Sequence, residues 1–418
     1  MFGYKLKRVY FLLEWLNAYA TTFFFTLIYF HLQQAFGFGN RENLLLSAAS
    51  GFVYIIFAWQ AGKVAQKRGY FYALRVGFGT MLAAIVAGSL LSSVAGQCAV
   101  MIVWTVGMCF TWPPLEALVS EGESRQGLSR MVGRYNVVWS SGAAVAYFTG
   151  GVLLEKLGPL SLFLVPAAFH AAQLAVLFWV EKKAAAAPGG PSPGVGADLE
   201  SGGEGEVPCL APCAGGTATL ARTAVEAQPQ VNPATGKVFL RLAWLANPFA
   251  YVAMNTLIPL LPDLALKLRL STALAGFVGS VWMFARLAAF MGLWHWTGWH
   301  YKFRWLAGTY VLMVACFAVI LLVPHLWVIV LAELVFGLAV GLIYYSSLFY
   351  SMDVGETKGE HGGFHEALIG VGIFLGPAVG TTTLRLFPAS PNAGIWAVSG
   401  LLVLGLGALL TLKKIMSR

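Results

Sequence analysis

The sequence predicts an all-α membrane protein of twelve transmembrane helices in two pseudo-symmetric six-helix bundles. Three observations predict it. Hydrophobic side chains make up 58% of the 418 residues and charged ones only 11%, with a mean hydropathy of +0.72, whereas soluble domains carry roughly 25% charged residues. Apolar runs of about 20 residues, the length a helix needs to cross a hydrocarbon core of roughly 30 Å, recur along nearly the whole chain. The second half repeats the first in register.

The runs lie at 9–34, 43–61, 72–94, 98–118, 133–153 and 160–180, then at 239–262, 272–296, 305–323, 327–350, 366–385 and 393–413. Lys5, Lys7 and Arg8 before the first run, and Ala18-Tyr19-Ala20 within it, have the form of a secretory signal with a cleavage site. Glu14 and Asn17 interrupt that pattern and the apolar character continues through Ile28, so the run reads as a span. Pro113-Pro114 should break or bend the fourth span, because proline lacks the N–H that the helix needs. Between the sixth and seventh runs, residues 182–237 are rich in Ala, Gly and Pro and poor in large apolar side chains. Such a segment cannot bury a core and is expected to be a disordered cytoplasmic linker. The chain thus divides into a first bundle at 1–181, a linker at 182–237 and a second bundle at 238–418.

With the N-terminus inside, basic residues should collect on the cytoplasmic connections. Of the 27 Lys and Arg residues, 21 fall on that side, 5 outside and 1 within a span. Both termini are therefore expected in the cytoplasm. The +9 net charge reads as this topological bias rather than as nucleic-acid binding, since the basic residues are spread over short loops beside apolar spans. Cys98, Cys109 and Cys316 lie in apolar helices and read as small core residues. Cys209 and Cys213 form a C-x-x-x-C in the linker, without a further Cys or His nearby to complete a zinc site.

The repeat is carried by glycines. Gly133, Gly142 and Gly150 return as Gly363, Gly372 and Gly380, each 230 residues on, and the same offset pairs Gly107 with Gly337 and Leu118 with Leu348. It also pairs Asn17 with Asn247, and Thr26-Leu27-Ile28 with Thr256-Leu257-Ile258. A shorter loop in the second half moves Gly51-Phe52-Val53 to Gly276-Phe277-Val278, after which the register recovers. Chance explains any single match in Gly-rich apolar sequence, but not one offset shared from the first helix to the eleventh.

Two parallel six-helix repeats joined by a long cytoplasmic linker resemble the major facilitator superfamily of secondary transporters, over the whole chain. The superfamily's loop motif between its second and third helices, G-x-x-x-D-R/K-x-G-R/K, is matched at Gly62, Lys67 and Gly69, with Gln66 in place of the acid and Tyr70 in place of the final base. The resemblance implies a gating role for this loop, which the two departures weaken. Gly372, Gly376, Pro377 and Gly380 spell G-x-x-x-G-P-x-x-G, similar to a motif that the drug–proton antiporters of the superfamily carry in their fifth helix. Here it lies in the eleventh helix, and Tyr147 stands where the fifth helix would have its proline, which counts against drug antiport. Glycines every fourth residue share one face and let another helix approach closely.

The segment before these glycines holds His361, His365 and Glu366. Its order is not H-E-x-x-H, and the Gly362-Gly363 pair places the helix start near Phe364, so a cluster at the start of the helix on the cytoplasmic surface is expected, with Glu366 near the positive helix end. Neither a metal nor any other cofactor is expected. No G-x-x-x-x-G-K-[ST] pattern appears, so ATP is not expected to drive the protein, and it is read as a transporter and not an enzyme.

An ionisable side chain inside a membrane helix costs about 2.5 to 3.5 kcal/mol on insertion scales, so it needs a cavity, a partner or a task. Arg286 lies mid-way along the eighth helix, with no acid in the same helix. A guanidinium stays charged and grips a carboxylate or phosphate through two parallel hydrogen bonds. An arginine there is similar to the arrangement in superfamily members that carry small organic anions, such as the monocarboxylate and oxalate transporters, although the aspartate that monocarboxylate carriers place one turn earlier is replaced by Trp282. The other reading is a structural ion pair with Glu14 or Glu333.

Glu14, Asn17 and Thr21 share one face of the first helix, and Asn247, Tyr251 and Asn255 one face of the seventh. The resemblance implies that these faces line a central cavity. Asn136, Ser140 and Tyr147 form a further polar stripe in the fifth helix, and Tyr344 follows Glu333 on the tenth. Trp104, Trp112 and Trp282 read as core or interfacial residues. The resulting expectation is a monomeric secondary transporter of a small solute in a lipid bilayer, by composition a bacterial inner membrane. Arg286, Asn17, Thr21, Asn247, Tyr251, Asn255 and Asn136 are its candidate substrate ligands, and Glu14 and Glu333 are its candidates for coupling to protons. Two alternatives stay open: a proton-coupled exporter of lipophilic cations, and a receptor or assembly protein that keeps the fold without transport.

Overall fold

The computed structural model describes residues 2–120, 125–185, 233–354 and 358–416. Within these residues the chain forms fourteen helices: α1 (Phe2–Phe36), α2 (Asn40–Arg68), α3 (Tyr70–Leu90), α4 (Val94–Cys109), α5 (Trp112–Ser120), α6 (Arg125–Leu157) and α7 (Ser161–Ala185), then α8 (Pro233–Lys267), α9 (Thr272–Gly279), α10 (Val281–His295), α11 (Phe303–Leu322), α12 (Leu326–Val354), α13 (Lys358–Leu386) and α14 (Ala393–Met416). α4 with α5 and α9 with α10 each make one span, so twelve segments are long and apolar enough to cross a membrane. The protein is an all-α, multi-pass membrane protein. Most of the expected linker, with Cys209 and Cys213, lies outside the described residues, as do the side chains of His361 and His365.

Successive spans alternate in direction. The short connections after α1, α3, α6, α8, α11 and α13 therefore lie on one side, here the far side, and the chain ends and the α7–α8 connection on the other, the linker side. One glycine makes the connection between α2 and α3: Gly69 sits at φ 90°, a conformation that L side chains rarely adopt. The fourth span breaks just ahead of its proline pair. The N–H groups of Phe110 and Thr111 donate to Gly107 and Met108 three residues back, and α5 then restarts with Pro113 in its first turn, where a missing N–H costs nothing. In the eleventh span, by contrast, helix runs from Lys358 through the Gly362-Gly363 pair expected to precede it. Each glycine costs roughly 1 kcal/mol in a helix interior, and continuous backbone bonding on both sides outweighs that.

The repeat is visible as packing. A Cβ on Gly142 in α6 would lie 2.7 Å from the Trp15 carbonyl oxygen and 3.3 Å from the Ala18 Cβ in α1. Its counterpart Gly372 in α13 meets the Pro248 carbonyl and the Tyr251 Cβ in α8, the corresponding helix of the second half, about one turn further along than the repeat offset would give. Gly51 and Gly276, the pair displaced by the shorter loop, do the same work between the halves. Gly51 in α2 would place a Cβ 2.5 Å from the Phe374 nitrogen in α13, and Gly276 in α9 one 3.1 Å from the Tyr147 carbonyl in α6. Backbone-to-backbone contact thus joins helices within each half and across the two halves.

On the linker side of the second half, the loop between α10 and α11 is held by aromatic rings. His300 stacks on Phe349 with ring centroids 4.1 Å apart and meets the Trp299 edge at 4.4 Å. Tyr301, at φ 56°, is fixed by its N–H donating to the Tyr350 hydroxyl at 2.9 Å and by its own hydroxyl donating to Asp353. Burial pushes the His300 imidazole down to about 4, against a smaller opposing pull from Asp353. In an unfolded chain the group titrates near 6.5. The folded state therefore holds a neutral imidazole that the unfolded state protonates, so this contribution to stability is complete above about pH 6.5 and is lost as pH falls toward about 4. Thermal unfolding of the solubilised protein should move to lower temperature across that window, and His300→Gln should flatten the decline. An undiminished decline in the variant would place the acid sensitivity elsewhere.

Candidate functional site

A cavity of about 190 Å³ lies between the halves. Its wall is drawn from α1, α2, α4, α5 and α6 of the first half and α8, α10, α12 and α13 of the second. Most of that wall is apolar and aromatic, and three charged residues stand in it: Arg286, Glu116 and Glu366.

Arg286 is only 3% exposed. Its guanidinium lies 4.6 Å from the ring centre of Trp139, 4.9 Å from Tyr344 and 5.4 Å from Phe290. Nη1 approaches the Met254 sulfur at 3.5 Å, and Tyr251 is close enough to interact. The electron-rich ring faces stabilise a cation. They do not accept its in-plane hydrogen bonds, and Nε and Nη2, which form one edge of the planar group, have no partner. Neither Glu14 nor Glu333 pairs with it: both carboxylates are fully buried, and neither forms a salt bridge among the described residues. The ion-pair reading of Arg286 is thereby overturned in this conformation. The membrane-spanning helices simply hold these carboxylates elsewhere, Glu14 beside Tyr135 and Glu333 beside the Trp282 backbone.

Of the other expected ligands, Thr21, Tyr251 and Asn255 line the cavity, and Asn17, Asn136 and Asn247 are buried outside that lining. Asn17 donates to the Thr111 hydroxyl at 3.3 Å. Asn136 accepts from the Trp139 indole at 3.0 Å and so fixes the ring that lies against Arg286. Asn247 has both side-chain polar atoms buried without partners. Trp112 and Trp282, expected in the core or at the interface, also face the cavity, while Trp104 is core.

Glu366 corrects a sequence expectation. It is not a surface residue at a helix start but is 8% exposed in the cavity wall, where its Oε2 accepts a 2.5 Å hydrogen bond from Tyr54 of α2. Helix α13 begins at Lys358 and not near Phe364, so Glu366 lies inside the helix and not in its first turn. The repeat offset of 230 pairs it with Asn136, a residue already singled out, and that register was the signal available. Glu116, half-buried in α5, has no such flag in the sequence.

The far side of the cavity is sealed by bonds between the halves. Asn40 donates to Asp263 at 2.9 Å, Gln34 to Thr272 at 3.1 Å, the Ala273 N–H to Glu155 at 2.8 Å and Thr381 to the Arg41 carbonyl at 3.0 Å. Two more bonds exploit a proline. Pro259 has no N–H to give the Asn255 carbonyl four residues back, and Ser47 of α2 donates there instead at 3.4 Å, while Asn43 takes the Pro259 carbonyl at 3.2 Å.

Residues 10–377 match the family model of the Major Facilitator Superfamily. The chain belongs to this superfamily. Among solved structures, the chain is similar to the human organic anion transporter MFSD10 (TETRAN), with a TM-score of 0.64 at 15% identity, covering 97% of this chain and 99% of that one. It is similar also to the nucleoside transporter NupG, with a TM-score of 0.64 at 12% identity and 99% of each chain covered. A sequence search of curated proteins returns no match. Superfamily membership makes the protein a secondary transporter of a small solute through the membrane.

In the superfamily's loop motif, Gly69 supplies the tight turn already described, Lys67 is exposed at the end of α2, and a Cβ on Gly62 would meet open space. Bonds between the halves are found on the far side. Asp263 holds both Asn40 and, at 2.8 Å, Lys267. Individual bonds of this kind contribute about 0.5–1.5 kcal/mol. Replacing Asp263 and Asn43 together by Ala should open the far side more often. Thr26 borders the cavity and the small pocket beyond it toward the far side. A cysteine introduced by Thr26→Cys, in a background without the native cysteines, should then react severalfold faster with an impermeant thiol reagent added from the far side. Unchanged labelling would mean that glycine packing alone keeps the seal.

Proposed function

We propose that the protein transports a small organic anion by alternating access, with Arg286 as the group that binds it. The observation that supports this is the unpartnered Nε–Nη2 edge of a buried arginine in a cavity wall between the halves. That edge matches the two oxygens of a carboxylate or phosphate. Thr21, Tyr251 and Asn255 offer further hydrogen bonds from the wall, Asn136 holds the Trp139 ring of that wall, and Asn17 and Asn247 are kept as candidate ligands for another stage of the cycle. The cavity is small beside the ~300–1,000 Å³ of sites for drug-sized ligands, which favours a metabolite-sized solute. The fold neighbours described as carriers of organic anions and of nucleosides share the architecture at 12–15% identity and leave the substrate open. The 21 basic residues on the linker side support a cytoplasmic location for both termini, in our reading in a bacterial inner membrane and as a monomer.

Proton coupling is assigned to Glu14 or Glu333, whose protonation would bias which arrangement of the halves is favoured. Glu14→Gln should then abolish the dependence of uptake on a pH gradient. Retained dependence would remove Glu14 from the coupling step.

A ligand present at 100 times its dissociation constant adds about 2.7 kcal/mol of apparent stability. A thermal-shift screen of anions against the purified protein should find such stabilisation, and Arg286→Ala, if still folded, should lose it. Stabilisation by lipophilic cations that survives Arg286→Ala would favour the second reading, a cation exporter, for which Glu116 and Glu366 provide the attracting charge.

A further inference from the structure

The cavity carries charge of both signs. Arg286 stands in its wall beside Tyr251 and Tyr344, and Glu116 and Glu366 stand in the same wall. Among the described residues, none of the three charged groups forms a salt bridge. Tyr251 and Tyr344, with ring centres 6.3 Å apart, are each within electrostatic reach of Arg286 and of both carboxylates. A cation and two carboxylates thus share one cavity without neutralising one another. Two of them are more than nine-tenths buried, and Arg286 still has an unpartnered edge.

Neither charge is inherited from the repeat. The 230-residue offset sets Asn136 opposite Glu366 and Ser346 opposite Glu116, and the displaced register of Gly51 and Gly276 sets Ala61 opposite Arg286. The scaffold therefore does not need a charge at these positions, since the other half is built without one.

Resting on the reading of Arg286 as the anion site, we propose that the transported solute is dipolar, a single molecule with an oxyanion for Arg286 and an ammonium or similar cation for Glu116 and Glu366. A simple anion would satisfy the arginine and face two carboxylates. A simple cation would satisfy the carboxylates and face the arginine. Repulsion at the unmatched end rejects both, and specificity built from repulsion as well as attraction is the usual way to discriminate related ligands. A dipolar solute brings Arg286 an anion and the two carboxylates one cation to share, and adds no net charge to the membrane interior. Tyr251 and Tyr344 stand in the same wall, and the Tyr54 hydroxyl orients the Glu366 carboxylate that would meet the cation.

The test uses the full-length purified protein and ligands that lose one charge at a time. Probes are unbranched ω-amino carboxylates from glycine to 6-aminohexanoate, the carboxylates of equal length without the amine, and the amines without the carboxylate, followed by calorimetry and thermal shift. One member of the dipolar series should bind at least about tenfold more tightly than both of its truncated analogues, a difference of about 1.4 kcal/mol. Glu366→Gln or Glu116→Gln should erase its advantage over the carboxylate, and Arg286→Lys or Arg286→Ala its advantage over the amine. The comparison on native protein stands even if a variant fails to fold. Equal binding of the bare carboxylate, indifferent to the glutamate substitutions, would overturn the dipolar proposal and leave the organic-anion reading intact. Binding of amines alone, indifferent to Arg286→Ala, would overturn both. Absence of binding across every dipolar length would overturn the dipolar proposal.

Discussion

A guanidinium that cannot be discharged is buried where the two halves of the molecule meet, and among the described residues no carboxylate pairs with it. Arg286 comes from the second half, and Trp139, the ring nearest to it, comes from the first. Trp139 is in turn fixed by Asn136, so a chain of contacts in one half sets the surroundings of a charge in the other. Any rearrangement of the halves must change those surroundings. A ligand on Arg286 then interacts differently with the two arrangements, and only such a difference lets a ligand shift a conformational equilibrium.

The same boundary is where the helices are least regular. A bilayer leaves unbonded backbone groups without solvent, so irregular backbone must find partners within the protein. Pro259 releases the Asn255 carbonyl, and a serine from the opposite half takes it. Gly51 and Gly276 remove side chains where backbones from the two halves touch. Local faults that would weaken an isolated helix become the means by which the halves recognise each other, through short-range bonds that can be exchanged.

The bilayer also explains why so much of the fold was legible. Its thickness imposes a length on every span, and the glycine offset of 230 residues revealed the duplication because close packing tolerates little variation at those positions. The site was legible only in part. Arg286 stood out because a charge in an apolar run is costly, and the structure places it in the cavity. Glu14 and Glu333 stood out for the same reason but lie outside the wall. Hydropathy reports depth in the membrane, whereas a cavity is defined by azimuth around the helix axis. Glu366 was obscured by the neighbouring histidines and glycines, which resemble a surface turn, and its partner Tyr54 is 312 residues away in sequence. Glu116 follows a proline pair that marks the end of regular helix more strongly than it marks a site.

Duplication offers a way past that limit. Positions where the halves agree, such as Gly142 with Gly372 packing on the same helix of each repeat, report what the scaffold requires. Positions where they disagree report what was added. Arg286, Glu116 and Glu366 each face an uncharged residue in the other half, yet all three line one cavity across the pseudo-symmetry axis. A symmetric frame built on glycine thus encloses an asymmetric charge pattern.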